Sequence, residues 1–362
     1  MAYTTIDDPT AHFQTKLYTG NNTANHAITN DGNSNLQPDL VWMKHRTGNH
    51  SHYLVDSSRG RDKGLASDTT AAETTSSSST QDFQSFDTNG FTVGTVETTD
   101  SINAAGGSTL VAWQWKANGG TTTVFSESGN NPGGNRQTNT DAGFSIISYT
   151  GTGANASCAL AHGLPSAPKF VIFKSRSDTY WWATWHEAIG DDNKLALQSD
   201  AAQDADGAFM NSTLPDATNI YVGGTSVHTN KDADNYICYA WSPIQGYSHF
   251  GTYVGNGVTD GPFVYTGFKP AFILYKTINA AEGWGILDNK RLGFNVFNNV
   301  FSANSNGAEY GGSNYNFMDI YSNGFKCRRA TYGPNQNNVT YLYVAFAESP
   351  FISSKGVPTT AR

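Results

Sequence analysis

Three runs of consecutive apolar residues stand out along the chain: Leu40-Val41-Trp42-Met43, Phe170-Val171-Ile172-Phe173 and Phe272-Ile273-Leu274-Tyr275. Each is preceded by a proline (Pro38, Pro168, Pro270) that can open a strand and followed by a lysine (Lys44, Lys174, Lys276) that should end burial. Four apolar residues without alternation, rich in β-branched and aromatic types, predict a strand covered on both faces. Elsewhere apolar positions alternate or fall in short runs, so no helix of ten or more residues is expected. A strand resumes at Phe91 after Asn89-Gly90, a hairpin-turn dipeptide.

The surroundings of the three runs also recur. Asp56, His186 and Asp288 lie twelve residues beyond the three lysines, and His52, Trp182 and Trp284 lie four residues before those positions. Further on, Thr109 to Trp115 aligns with Asn235 to Trp241 and Thr340 to Phe346. Upstream, Tyr18-Thr19-Gly20, Tyr149-Thr150-Gly151 and Tyr253-Val254-Gly255 share one more position. Landmarks repeated in one order predict an all-β chain of three tandem related β-sandwich (jelly-roll-like) units. The expected boundaries are an N-terminal arm over 1–12, unit one over 13–117, a Gly/Asn/Ser/Thr-rich linker over 118–142, unit two over 143–245, unit three over 246–351 and a tail over 352–362. The arm reads as disordered or docked on a neighbour, and Thr69 to Thr80 as an exposed polar loop. Unit two departs most, with His186 and Ile189 where the others hold Asp and Arg.

Composition narrows the function. Only 14% of residues are charged, against about 25% in ordinary soluble proteins, so Asn, Ser, Thr and Gly supply the polar surface. A formal charge of −8 argues against nucleic acid as a partner. No apolar stretch is long enough to insert in a membrane, and the first residues lack the pattern of a signal peptide. Cys158, Cys238 and Cys327 are too scattered for a disulfide framework or a zinc site.

Polar motifs that could carry chemistry are few. Asp56/Arg59 and Asp288/Arg291 each place a carboxylate three residues before a guanidinium; the reading is a structural turn pair, because unit two loses both residue types. His45, His50 and His52 cluster, and His50 with His52 would share one side of a strand, but that pair lacks a third ligand at metal spacing; Asp191-Asp192-Asn193 lacks the rest of a calcium loop, so neither metal nor cofactor is expected. Trp181, Trp182 and Trp185 form the densest aromatic group. Trp182 reads as core; Trp181 and Trp185 are the binding candidates, to be judged by exposure. No nucleophile elbow, zinc-protease helix or phosphate loop is present, and the chain reads as non-enzymatic.

The whole set of landmarks resembles a family of repeated β domains of uncharacterised function found in virion proteins of marine tailed phages, often labelled tail-fibre-like or structural. Tyr18-Thr19-Gly20-Asn21, Pro38 to Lys44, Asp56-Ser57-Ser58-Arg59-Gly60, Ala112 to Ala117, Gly143 to Gly151, Gly261 to Phe268 and Ala345 to Phe351 carry it. The resemblance implies a virion location and brings no catalytic residues; the missing signal-peptide pattern leads to the expectation of synthesis in the host cytoplasm. The expected role is a surface-exposed structural protein of the tail-fibre or receptor-binding apparatus. Its partners would be other virion proteins, a host glycan or outer-membrane protein, and further copies of itself. The alternatives are a capsid decoration protein whose three units imitate a trimer, and a carbohydrate-binding module.

Overall fold

The three apolar runs become the central strands of three large sheets. The computed structural model describes residues 2–96, 102–224, 226–312, 315–330 and 332–359. In it the central strands Leu40–His45, Phe170–Ser175 and Phe268–Thr277 each lie between a closing strand (Thr109–Trp115, Asn235–Trp241, Thr340–Pro350) and a flanking strand (Tyr53–Asp56, Ala183–His186, Gly285–Asp288). Beyond each closing strand runs an opening strand: Phe13–Thr19, Phe144–Thr150 or Ser248–Val254. The ladders are antiparallel and in matching register, Leu40 facing Trp115, Phe170 facing Trp241 and Phe272 facing Phe346.

A smaller sheet lies over each large one. His26–Thr29, Gly90–Val93 and Phe83–Asp87 form the first; Ser157–Ala161 with Asn219–Gly223 form the second; Phe263–Tyr265, Gly324–Cys327 and Met318–Tyr321 form the third. The period of two in a strand then explains the unbroken apolar runs. Val41 and Met43 pack beneath the first small sheet with Phe91 and Val93, whereas Leu40 and Trp42 face the centre of the molecule. The chain is all-β and sandwich-like; among the described residues, helix is limited to three-residue 3-10 turns.

The centre-facing side chains of the three large sheets meet in one core. Leu40 and Trp42, Phe170 and Ile172, and Phe272 and Leu274 line an apolar void of about 20 Å³. Trp115 is its hub, with ring centroids 5.0 Å from Phe13, 6.1 Å from Trp241, 5.6 Å from Phe272 and 5.6 Å from Phe346. Burying side chains of this size contributes about 1.5–3 kcal/mol each, so the sheets cohere chiefly through this contact.

Four readings of the sequence need correction. The lysines do not end burial: Lys44, Lys174 and Lys276 are buried, and each ammonium donates to the carbonyl of the next residue, His45, Ser175 or Thr277. A four-carbon stem is long enough to run beneath the sheet and return its charge to the strand end. The arm is docked on its own chain. Ile6 is buried in the core, Tyr3 donates to Gly267 O at 2.8 Å, and Asp8 caps the Pro9–Ala11 turn.

The stretch read as a linker carries two strands, Thr123–Phe125 and Gly134–Asn139, which extend the second sheet past its opening strand. Gln137, buried, donates to the hydroxyls of Ser57 and Ser58 and so ties that extension to the first sheet. The polar run at 69–80 pairs Thr74–Thr75 with Lys63–Gly64 and brings Glu73 to Arg176. In both stretches hydrogen bonding substitutes for apolar burial, which a search for hydrophobic pattern does not detect.

Asp39 organises the exit from the first sheet. Its fully buried carboxylate accepts from Ser57 Oγ and from the backbone amides of Ala117, Gly119 and Gly120 at 2.6–2.9 Å. Asp39→Ala leaves the Ala117 and Gly119 amides without an acceptor, Gly120 N keeping Gln137 Oε1 at 3.1 Å, and is expected to cost about 2–3 kcal/mol, read as a lower urea midpoint. A change under 0.5 kcal/mol would mean that water replaces the carboxylate.

Candidate functional site

Each pair of large sheets meets through the same positions, and these junctions hold the most concentrated buried charge. At the first–second junction, Asp56 Oδ1 accepts from the amides of Ser58 and Arg59, and Oδ2 pairs with Arg59 Nε. Tyr239 from the second sheet donates to the same Oδ2 at 2.7 Å. Glu73 then bridges Arg59 at 3.1 Å to Arg176, which grips it with Nε and Nη2 at 2.9 Å each.

The third–first junction repeats this arrangement. Asp288 accepts from the amides of Lys290 and Arg291, pairs with Arg291 Nε at 2.6 Å and accepts from Trp113 Nε1 at 2.9 Å. Glu309 is held by Arg46 at 2.8 and 3.0 Å. These carboxylates cap turns, pair with their arginines and accept from the neighbouring sheet. Buried and engaged on both oxygens, neither Asp56 nor Asp288 is open to a substrate.

The second–third junction explains the divergent positions. His186 and Ile189 stand where the others hold Asp and Arg, Gln203 where they hold Glu, Ile278 where they hold Arg, and Val344 where they hold Tyr239 or Trp113. The backbone contact survives all of these changes: Gln203 N donates to Ile278 O, as Glu73 N does to Arg176 O and Glu309 N to Arg46 O. Donor, acceptor and both arginines are absent together, so no charge is stranded. His52, Trp182 and Trp284 complete the set, each bonding a carbonyl across a junction: Ser302 O, Ala66 O and Ala196 O.

Of the two tryptophans read as binding candidates, one is excluded. Trp185 is 2% exposed and donates to Gly190 O, because it faces inward from the flanking strand. Trp181 precedes that strand and is 41% exposed, stacked on His228 at 5.4 Å with Lys194 Nζ 5.4 Å from its centroid. Trp182 is core. His52 Nδ1 accepts from Trp42, His45 Nδ1 accepts from Gly48 N, and Asp192 accepts from Ser212. Among the described residues no group of three His, Cys, Asp or Glu side chains is placed to hold a metal, and the three cysteines are free and buried.

Exposed aromatic rings are distributed unequally. Among the described residues, apart from Trp181, they are Phe263, Tyr265, Phe294, Tyr310, Tyr315, Tyr321 and Tyr332, all in the last third of the chain. Three of them, Tyr310, Tyr315 and Tyr332, border a cleft of about 350 Å³ beside the flanking strand of the third sheet. Phe317 stacks on Tyr315 at 6.0 Å, and the Arg329 guanidinium carbon lies 4.8 Å from the Tyr315 centroid and 5.9 Å from that of Tyr332. Glu282 forms the acidic side, accepting from Gly333 N at 3.1 Å and Gln336 Nε2 at 2.6 Å.

A family model described as a domain of unknown function, DUF7483, matches residues 8–350. The chain belongs to the DUF7483 family. No curated protein and no solved structure matches it. The DUF7483 match takes in all three large sheets, the buried junctions and the tyrosine cleft, so none of these is an appendage to the family's domain. The cleft was missed in the sequence because its residues come from separated segments. Its one local signal is the Tyr/Gly/Ser/Asn-rich stretch Tyr310 to Tyr315, a composition that suits adaptable recognition loops.

Buried titrating groups make the stability of the DUF7483 chain depend on pH in two windows. Burial lowers His52 to about 3 and His186 to about 4. Between those values and the ordinary 6.5 or so, the unfolded chain binds protons that the folded chain refuses. Stability therefore falls on acidification, by up to about 1.4 kcal/mol per pH unit for each ring. Burial likewise lowers Lys44, Lys174 and Lys276 to about 8. Above that value the folded chain has released protons that the unfolded chain keeps to about 10.4, so stability rises with pH; the thiols of Cys158, Cys238 and Cys327, raised by burial, oppose this in part once they ionise in the unfolded chain from about 8.5, and the buried tyrosines do so from about 10. Urea midpoints are expected in the order pH 4.5 < 7 < 9, and a midpoint at pH 9 below that at pH 7 would exclude the lysine contribution.

Proposed function

We propose that the three large sheets and their small partners are three tandem copies of one β-sandwich unit closed into a ring. We further propose that the chain is a non-enzymatic, surface-exposed virion protein of the tail-fibre or receptor-binding apparatus. The tandem reading draws on the shared strand order and on junctions that run first to second, second to third and third back to first through matching positions. The virion setting comes from the resemblance in the sequence. The single observation that favours attachment is the confinement of exposed aromatic rings, Trp181 apart, to one third of an otherwise evenly built chain. Exposed aromatic groups of this kind mark contact surfaces.

A second reading has its own support. The cyclic junctions give one chain an approximate threefold shape, which suits a decoration protein seated over a threefold position of a capsid. Copy number separates the two. Quantitative mass analysis of purified particles is expected to give tens of copies per virion for attachment and hundreds for decoration, while absence from particles would remove both.

A further inference from the structure

We propose that the tyrosine cleft of the third sheet binds a neutral, pyranose-containing saccharide. The proposal deepens the attachment reading by naming the chemistry of the surface contact, and it rests on that reading only for its biological setting. A pyranose presents an apolar C–H face bounded by hydroxyls. The cleft offers the complement: the ring surface of Tyr310, Tyr315 and Tyr332 that Phe317 and Arg329 leave uncovered for the C–H face, and phenol hydroxyls, the Glu282 carboxylate and the Arg329 guanidinium for the rim. Tyr310 and Tyr315 are about one-third exposed and Tyr332 about two-thirds, so ring surface is open to a ligand.

The site is also held in shape. Glu282 is fixed by Gly333 N and Gln336, which sets its carboxylate before a ligand arrives. Gly333 sits at φ +62, and a Cβ there would lie 2.5 Å from Phe317, so only glycine lets the loop close on that ring. Tyr332 itself has φ +57, an uncommon conformation for a non-glycine residue that tends to mark functional loops. At about 350 Å³ the cleft falls at the small end of ligand sites, about 300–1,000 Å³. That space suits a short saccharide better than a folded partner. One acidic and one basic group face it together, which favours a neutral sugar over an anionic or cationic one.

The test uses the full chain on an array of neutral mono- to tetrasaccharides of glucose, galactose, mannose and N-acetylglucosamine, followed by titration calorimetry with the strongest hit. Wild-type protein is expected to retain at least one saccharide. Tyr315→Ala and Tyr332→Ala should each weaken it at least tenfold, and Val124→Ala, at an exposed position of the second sheet, should leave it unchanged. Tyr332 is the most exposed of the three rings, so its variant reports on binding even where Tyr315→Ala unfolds. Retention of no saccharide, or equal retention by Tyr332→Ala, overturns the proposal, as does a host protein that binds at these tyrosines after complete deglycosylation. Those results leave the copy-number test of the virion reading untouched, and absence from virions leaves the saccharide result standing.

Discussion

Arg59→Ala is expected to lower the unfolding free energy by about 3–5 kcal/mol, the usual cost of removing one partner from a buried ionic cluster. The Arg59 and Asp56 side chains are both 0% exposed, and Glu73 is 10% exposed. Without the guanidinium, Asp56 keeps its two amides and the Tyr239 hydroxyl but has no counter-charge, while Glu73 retains Arg176. The second–third junction indicates how the loss can be offset. A fivefold variant carrying Asp56→His, Arg59→Ile, Glu73→Gln, Arg176→Ile and Tyr239→Val gives the first–second junction the residues found there. It removes every charge of the cluster at once, so it should unfold at a higher urea concentration than Arg59→Ala despite four further changes. Urea is the right denaturant because, unlike guanidinium, it does not screen the ion pairs. A fivefold variant less stable than the single one would mean that the junctions are not interchangeable, and the tandem-unit reading would lose its main energetic support.

The sequence was most legible where burial imposes a pattern. The four-residue apolar runs announced strands covered on both faces, and Val41 and Met43 on one side with Leu40 and Trp42 on the other show why. It was least legible where a residue's role depends on another sheet. Nothing near His186 or Ile189 reveals that Ile278 and Val344, about ninety and more than 150 residues away, have changed with them. Lys44 is followed by polar residues and reads as a boundary, yet its ammonium is satisfied by His45 O and by Asn306 O, in the loop after the third-sheet strand Phe301–Ser302. Trp185 and Trp181 belong to one aromatic group in the sequence; their different exposures are set by the start of the strand at Ala183. The cleft assembles Glu282, Tyr310, Tyr315 and Tyr332, spread over fifty residues and separated by strands, with no shared period.

Trp115→Ala is expected to cost about 3–5 kcal/mol, the range for deleting a large aromatic side chain from a packed core. The indole touches rings of all three large sheets, so the cavity it leaves lies where they meet and cannot be closed by one sheet shifting alone. Trp115→Phe should behave differently. Trp115 Nε1 has no hydrogen-bond partner, and the third sheet already carries Phe346 in the matching register. Losing an unpaired buried N–H offsets part of the lost volume, and a change within about 1.5 kcal/mol is expected. Trp113 lies two residues away and is equally buried, but its Nε1 donates to Asp288 across the third–first junction. Trp113→Phe strands part of that carboxylate's hydrogen bonding and should cost about 1–3 kcal/mol beyond the volume change. Urea unfolding is therefore expected to rank Trp115→Phe above Trp113→Phe, and Trp113→Phe above Trp115→Ala. Should Trp113→Phe prove the milder of the two phenylalanine variants, the indole-to-carboxylate bond would contribute little, and the third–first junction would rest on the Arg46–Glu309 pair, its backbone bond and packing.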